Sequence, residues 1–188
     1  MSDKRPGILK LHAILAGFFL PVAVMFILTG ALYTWGQKGS YDTTTESIEL
    51  TTALDASDKA AMHALVVQLL EERSLSQPSG GFKVKKAGTS FYFEWTGSNR
   101  DVVLQPTETR LEAKLQIKET TLHRRLVQLH KAKGGVAFKV FATLLSAGLL
   151  VLFASGFVLA LKHPQVKRAA WIGVAAGFLA FVVFVVLA

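Results

Sequence analysis

Cysteine is missing from all 188 residues, which excludes disulfides, cysteine-ligated iron–sulfur clusters and thiol chemistry. Acidic residues are scarce and confined. Of the 13 Asp and Glu, every one but Asp3 falls between Asp42 and Glu119. The three long apolar runs, about Ile8 to Trp35, Val140 to Leu161 and Ala169 to Ala188, contain none. Proton-coupled carriers and pumps ordinarily need intramembrane carboxylates or comparable ionisable relays, so this absence argues against a transporter acting alone. Glu71 and Glu72 are no hydrolytic pair, because adjacent helical residues do not converge on one site; they read as a solvated face. No Gly-rich phosphate loop, HExxH zinc motif or dinucleotide fingerprint occurs. Ser146 and Ser155 lack a triad partner and read as helix-packing residues. The net charge is +8, yet no aromatic–basic recognition motif accompanies it, so nucleic acid is not implied.

What is abundant is apolar sequence, 51% of the chain. A helix needs about 20 residues to cross a hydrocarbon core of about 30 Å, and each of the three runs reaches or approaches that length. A cleaved signal peptide has an apolar stretch of about 7 to 15 residues; the first run is longer and ends on Tyr33 and Trp35, an interfacial aromatic anchor. Basic residues flank the start of the first run (Lys4, Arg5, Lys10) and fill the turn before the third (Lys162, Lys167, Arg168). By the positive-inside rule both segments are cytoplasmic. The expected layout is a cytoplasmic N-terminus and helix one over 1–36, an extracytoplasmic domain over 37–133, helix two over 134–162, a cytoplasmic turn over 163–168 and helix three over 169–188. The fold class is therefore integral membrane and α-helical, three transmembrane helices with an α+β domain inserted between the first two.

Within that domain, Ser47 to Thr52 alternates as a strand, and Ser57 can cap a helix over Lys59 to Arg73, where Met62, Leu65, Val66, Leu69 and Leu70 share a face. Short strands follow at Phe82 to Lys86, Ser90 to Thr96 and Asp101 to Gln105, with turns at Ala87-Gly88-Thr89 and Gly97-Ser98-Asn99. Leu111 to Ile117 alternates again. Thr120 or Thr121 can cap a helix carrying Leu122, Leu126 and Leu129.

Four of the five histidines fall at membrane edges: His12 and His163 on the cytoplasmic side, His123 and His130 on the outer side. His63 lies in the domain helix. On a helical wheel Ala16, Ala23 and Gly30 lie within about 40° of His12, and Gly148 and Gly156 lie near the face of His163. Such small stripes let helices approach closely and equally leave room for a flat macrocycle. Gly173 to Gly177 is a GxxxG, a weak helix-association signal. His123 and His130, seven residues apart, share a face.

These residues carry a resemblance. Leu11-His12-Ala13-Ile14-Leu15-Ala16-Gly17 with Leu28-Thr29-Gly30-Ala31-Leu32 resembles the opening "LHRWLGL…LTGLL" of the PepSY-associated transmembrane family. Leu129-His130, Gly135, Gly148-Leu149-Leu150-Val151-Leu152 and Gly156-Phe157-Val158-Leu159 resemble its "LHTG…G…GLxLLVLxxTGLVL", with Lys131-Ala132 in place of Thr-Gly. Asp101 to Leu111 is similar to the "vyvDPxTGxvL" end of a PepSY module.

The resemblance implies a bacterial inner-membrane haem-b protein that reduces ferric iron or ferric siderophores. It implies His12 and His130, the motif histidines, as haem-iron ligands. Layer position adds His163 as a second ligand for His12 and His123 for His130, or else a symmetry-related histidine in a twofold homodimer. A quinol or a cytoplasmic reductase is the expected electron donor. The alternative is a membrane-anchored PepSY binding or regulatory module, or a cofactor-free accessory subunit of a metal-uptake system.

Overall fold

The computed structural model describes residues 5–88 and 90–188; Lys4 and the turn residue Thr89 lie outside it. The elements run α1 (Arg5–Thr34), β1 (Tyr41–Glu49), α2 (Lys59–Glu72), β2 (Phe82–Ala87), β3 (Ser90–Thr96), β4 (Arg100–Pro106), β5 (Glu112–Thr120), α3 (Leu122–His130), α4 (Gly135–Leu161) and α5 (Pro164–Leu187). Helices α1, α4 and α5 are long and apolar enough to cross a membrane, with mean hydropathy of 2.4, 2.4 and 2.6 over their spans. At 1.5 Å per residue they measure about 36 to 45 Å, longer than a hydrocarbon core of about 30 Å. Their apolar side chains stay outward: Phe18, Ile27, Leu150, Phe153, Phe178 and Phe184 are all exposed, as lipid-facing residues must be.

Contacts group the chain into two units, residues up to Ala23 with Thr143–Ala188, and Val24–Ala142. The second unit holds an antiparallel five-stranded sheet in the order β1-β5-β4-β3-β2. Alternation places one face of each strand in a core. Phe93, Leu104 and Leu115 form one cross-strand row, and Trp95, Val102 and Ile117 the next. Onto them pack Met62, Val66, Leu69 and Leu70 of α2. Each large side chain buried here contributes about 1.5–3 kcal/mol.

Several boundaries differ from the sequence expectation; β5 runs on to Thr120 and does not end at Ile117. The first strand is Tyr41–Glu49, not Ser47 to Thr52. It is an edge strand paired only with β5, and its Thr43-Thr44-Thr45 run has strand propensity without apolar alternation. The α2 cap is Asp58, whose carboxylate accepts the Ala61 N–H at 2.8 Å; the Ser57 hydroxyl donates instead to Asp55. The basic stretch after α4 is already helical from Pro164, since proline at the first helical position forfeits no hydrogen bond.

The opposite side of β4 fixes α3. Asp101 is 7% exposed and accepts from the Tyr41 hydroxyl at 2.6 Å, the Gly97 N–H at 2.9 Å and the Gln128 amide at 3.2 Å. Gln128 is fully buried and also donates to the Tyr41 hydroxyl at 3.0 Å. Arg124 lies over the Tyr41 ring at 4.5 Å and donates to its hydroxyl at 2.8 Å. Thr121 caps α3 by accepting from Arg124. The chain leaving α1 passes so close that a Cβ on Gly39 would meet the Arg124 N at 2.6 Å. Helix α3 closes in a Schellman arrangement: the Ala132 N–H bonds Leu129 O at 2.9 Å and the Lys133 N–H bonds Gln128 O at 3.0 Å. Ala132 takes the left-handed position, φ 58, where the resembling motif has glycine.

Burial, and then the hydrogen bond to Asp101, pushes the Tyr41 phenol from 10.0 up to about 12. A folded-state pKa above the unfolded one stabilises fully below the unfolded value and is lost as pH rises through the folded value. The chain is expected to lose this contribution between pH 10 and about 12. Tyr41→Phe is expected to cost about 1–3 kcal/mol near neutral pH by stranding buried partners, and to remove this part of the alkaline loss. Thermal unfolding of the full detergent-solubilised chain, followed by Trp95 fluorescence with Trp35 and Trp171 replaced by Phe, reads both effects.

Candidate functional site

Two histidines stand in matching surroundings, one in each unit. In the second unit His130 is the last residue of α3, set in place by the Asp101 junction. Its Nδ1 lies 2.9 Å from the Thr29 hydroxyl of α1. That hydroxyl has one proton, and the Met25 carbonyl at 2.6 Å, able only to accept, takes it. Thr29 then accepts from Nδ1–H, and in the neutral ring the lone pair is on Nε2. Nε2 has no hydrogen bond among the described residues, and the Cε1 corner of the ring faces Gly30: a Cβ there would stand 3.2 Å from Cε1 and 3.9 Å from Nε2. The Phe26 ring lies 4.8 Å from the imidazole. Thr29, Gly30, Tyr33, Thr34, Val127, His130 and Lys131 line a cavity of about 340 Å³.

In the first unit His12 repeats the pattern. Its Nδ1 lies 2.9 Å from the Ser155 hydroxyl of α4, which donates to the Leu152 carbonyl at 3.1 Å. By the same reasoning Nδ1 carries the proton and Nε2 the lone pair. Gly156 lies against this ring, its added Cβ 3.4 Å from Cε1. Phe19, 7% exposed, packs onto Gly148 so closely that a Cβ would collide with the ring.

The other predicted ligands are placed differently. His163 is the exposed N-cap residue of α5, its carbonyl accepting from Val166 and Lys167. His123 is half-buried on α3, with a buried Nε2 that has no hydrogen-bond partner among the described residues. His63 stacks on Phe82 at 4.1 Å and sits 4.5 Å from Trp95, an aromatic role in the domain. Among the described residues no three His, Cys, Asp or Glu gather as a metal cluster.

The glycine stripes also serve other partners than a wheel suggests: Gly30 lies under His130 and Gly156 against His12. Ser155, read from sequence as packing, is a histidine partner, and Thr29 was not singled out at all. A Ser or Thr three or four residues after a helical carbonyl, near a histidine-bearing helix, is the signal that could have found both.

The fit to a haem can be judged on these residues. A metal-ligating histidine needs a free Nε2, an Nδ1–H held by an acceptor, and space at the ligating edge. His12 and His130 each meet the first two conditions, and each has a glycine, not a side chain, beside the ring.

The PepSY-associated TM region family matches residues 2–163. The chain belongs to that family. No curated protein and no solved structure matches it. The match takes in both histidine sites and all five strands of this family member.

The tautomer assignment is directly testable. In full chain carrying ¹⁵N-histidine, His12 and His130 are expected as Nδ1–H tautomers by their nitrogen shifts. Thr29→Val is expected to release that preference at His130 only, and Ser155→Ala at His12 only. Unchanged shifts in both variants would remove the hydroxyls from this role.

Proposed function

We propose that this protein is a haem-b electron carrier of the bacterial inner membrane that delivers electrons to ferric iron or a ferric chelate. The observation that carries the reading is the repeated one: both histidines matching the family motif have Nδ1 held by a hydroxyl and a glycine against the ring. His130 with Gly30, and His12 with Gly156, are the residues that would hold a haem. Second ligands come from His123 and His163 or, in a homodimer, from the symmetry mate. Bound haem would supply a one-electron ferric–ferrous couple.

The residues of the chain do the rest. His12 and His130 would hold the haem iron, and the hydroxyls orient each imidazole. Phe26 and Phe138, stacked at 6.4 Å, keep one flank of His130 apolar. The basic cytoplasmic flanks orient the chain with its N-terminus inside and the sheet outside, where the acceptor arrives. One quinol becomes a quinone with release of two electrons and two protons to water, or a cytoplasmic reductase gives the two electrons, and two ferric ions take one each.

A second reading, an anchored binding module, draws on a cavity of about 650 Å³ between α2 and the segment Glu49–Asp55, with Met62, Leu65 and Leu69 in its wall. Haem content separates the two.

Full chain purified in detergent from haem-supplied cells is expected to give a sharp b-type α-band on dithionite reduction. Adding a ferric chelate should bleach it. His12→Ala and His130→Ala should each lose part of the haem, and the double variant all of it. A featureless wild-type spectrum would leave the binding module as the better reading.

A further inference from the structure

The His130 cavity has an unbalanced electrostatic edge. Lys131, which follows His130, lines it and places its ammonium 5.5 Å from the centre of the Tyr33 ring. Lys38 places its ammonium 5.4 Å from the same ring. A ring quadrupole attracts a cation by about 0.5–1 kcal/mol at an exposed site, but one ring does nothing to neutralise two like charges. Among the described residues neither lysine has a carboxylate partner; the ion pairs there are Arg73 with Glu46 and Glu72, Lys85 with Glu94, Arg100 with Glu119, and Lys133 with Asp101. Asp101, the buried acid of this region, is already engaged by Tyr41, Gly97 and Gln128. Lys133 nearby is set chiefly by its surroundings: burial pulls its ammonium below its usual range, Asp101 opposes this, and Lys131 adds a smaller lowering.

The order of residues along α1 gives the cavity a direction. Phe26 lies one turn before Gly30, Tyr33 one turn after, and Lys38 just past the helix end. The surroundings of His130 therefore pass from aromatic and apolar to cationic. A ligand suited to them has a flat apolar body, a metal for Nε2 and anionic groups along one edge.

We infer that Lys38 and Lys131, which both reach the Tyr33 ring, form a carboxylate-binding site at the edge of the His130 cavity, which takes the two propionates of a haem and sets which way its ring lies. This rests on the haem reading of His130. Two carboxylates answer two ammoniums, and the charge excess at this edge is then closed by the ligand. Lipid phosphate is the other anion available to interfacial lysines.

The experiment uses full-length His12→Ala protein, so that only the His130 site is read, and titrates it with haem and with haem dimethyl ester, whose propionates are uncharged. Haem is expected to bind about two- to twenty-fivefold more tightly than the ester, the upper end being two ion pairs of about fivefold each. Lys38→Gln with Lys131→Gln should bring haem down to the affinity of the ester while leaving ester binding and the α-band position unchanged, which also shows that the variant is folded. Equal binding of haem and ester by the parent, with a normal α-band, overturns the carboxylate site and leaves the haem reading standing. Binding of neither overturns both. If the double variant keeps the discrimination but loses co-purifying phosphatidylglycerol, the lysines serve lipid and the inference is wrong.

Discussion

A single buried carboxylate organises the second unit. Asp101 sits on the side of β4 away from the core, where an unpaired charge would cost several kcal/mol. Satisfying it draws in Tyr41 from β1, the Gly97 turn between β3 and β4, and Gln128 from α3, while Lys133 after α3 stands 4.0 Å away. The first strand, the β3–β4 turn and the α3 region therefore converge on one side chain. The consequence for the site is positional. Gln128 is two residues from His130, so the carboxylate that locks the helix to the sheet also sets the height and rotation of the imidazole.

The buried polar groups are not all satisfied. The Gln128 carbonyl oxygen, the Arg124 Nε and the His123 Nε2 have no partner among the described residues. They all lie on α3. The helix that carries His130 is thus held firmly through Gln128 and Tyr41, yet keeps unused hydrogen-bonding capacity. The Tyr41 hydroxyl donates one bond and accepts two, from Arg124 and Gln128. It is the hub through which the sheet reads the helix.

Much of this architecture is legible in the sequence, because the signals are local. Apolar runs mark α1, α4 and α5; alternation marks β3 almost to the residue; Thr121 marks the start of α3. His12 and His130 stand out through the residues beside them. What is not legible depends on partners far along the chain. Asp101 reads as an ordinary strand residue until Tyr41, 60 residues earlier, is folded against it. Gly30 falls on the wheel face of His12, but its neighbour is an imidazole from α3. Ser155 and Thr29 read as packing or as nothing, since a hydroxyl gains a role only when a ring 143 or 101 residues away arrives. The edge strand β1 is hidden for a related reason: its partner β5 supplies the order that its own threonines do not display.

The scarcity of acids and the hydroxyl partners of the histidines belong to one argument. A ligating imidazole commonly donates its Nδ1–H to a carboxylate, which raises the basicity of the other nitrogen. Inside an apolar span a carboxylate is costly, and α1, α4 and α5 contain none after Asp3. A neutral acceptor has to serve. Serine and threonine can serve only if their own proton is spent elsewhere, and the helix provides the sink in its i−3 and i−4 carbonyls. Thr29 uses Met25, and Ser155 uses Leu152. A hydroxyl is a weaker acceptor than a carboxylate, so it orients each ring without a charge inside the span. The carboxylates that membrane insertion disfavours are thereby replaced by neutral side chains that still hold each ring in one orientation.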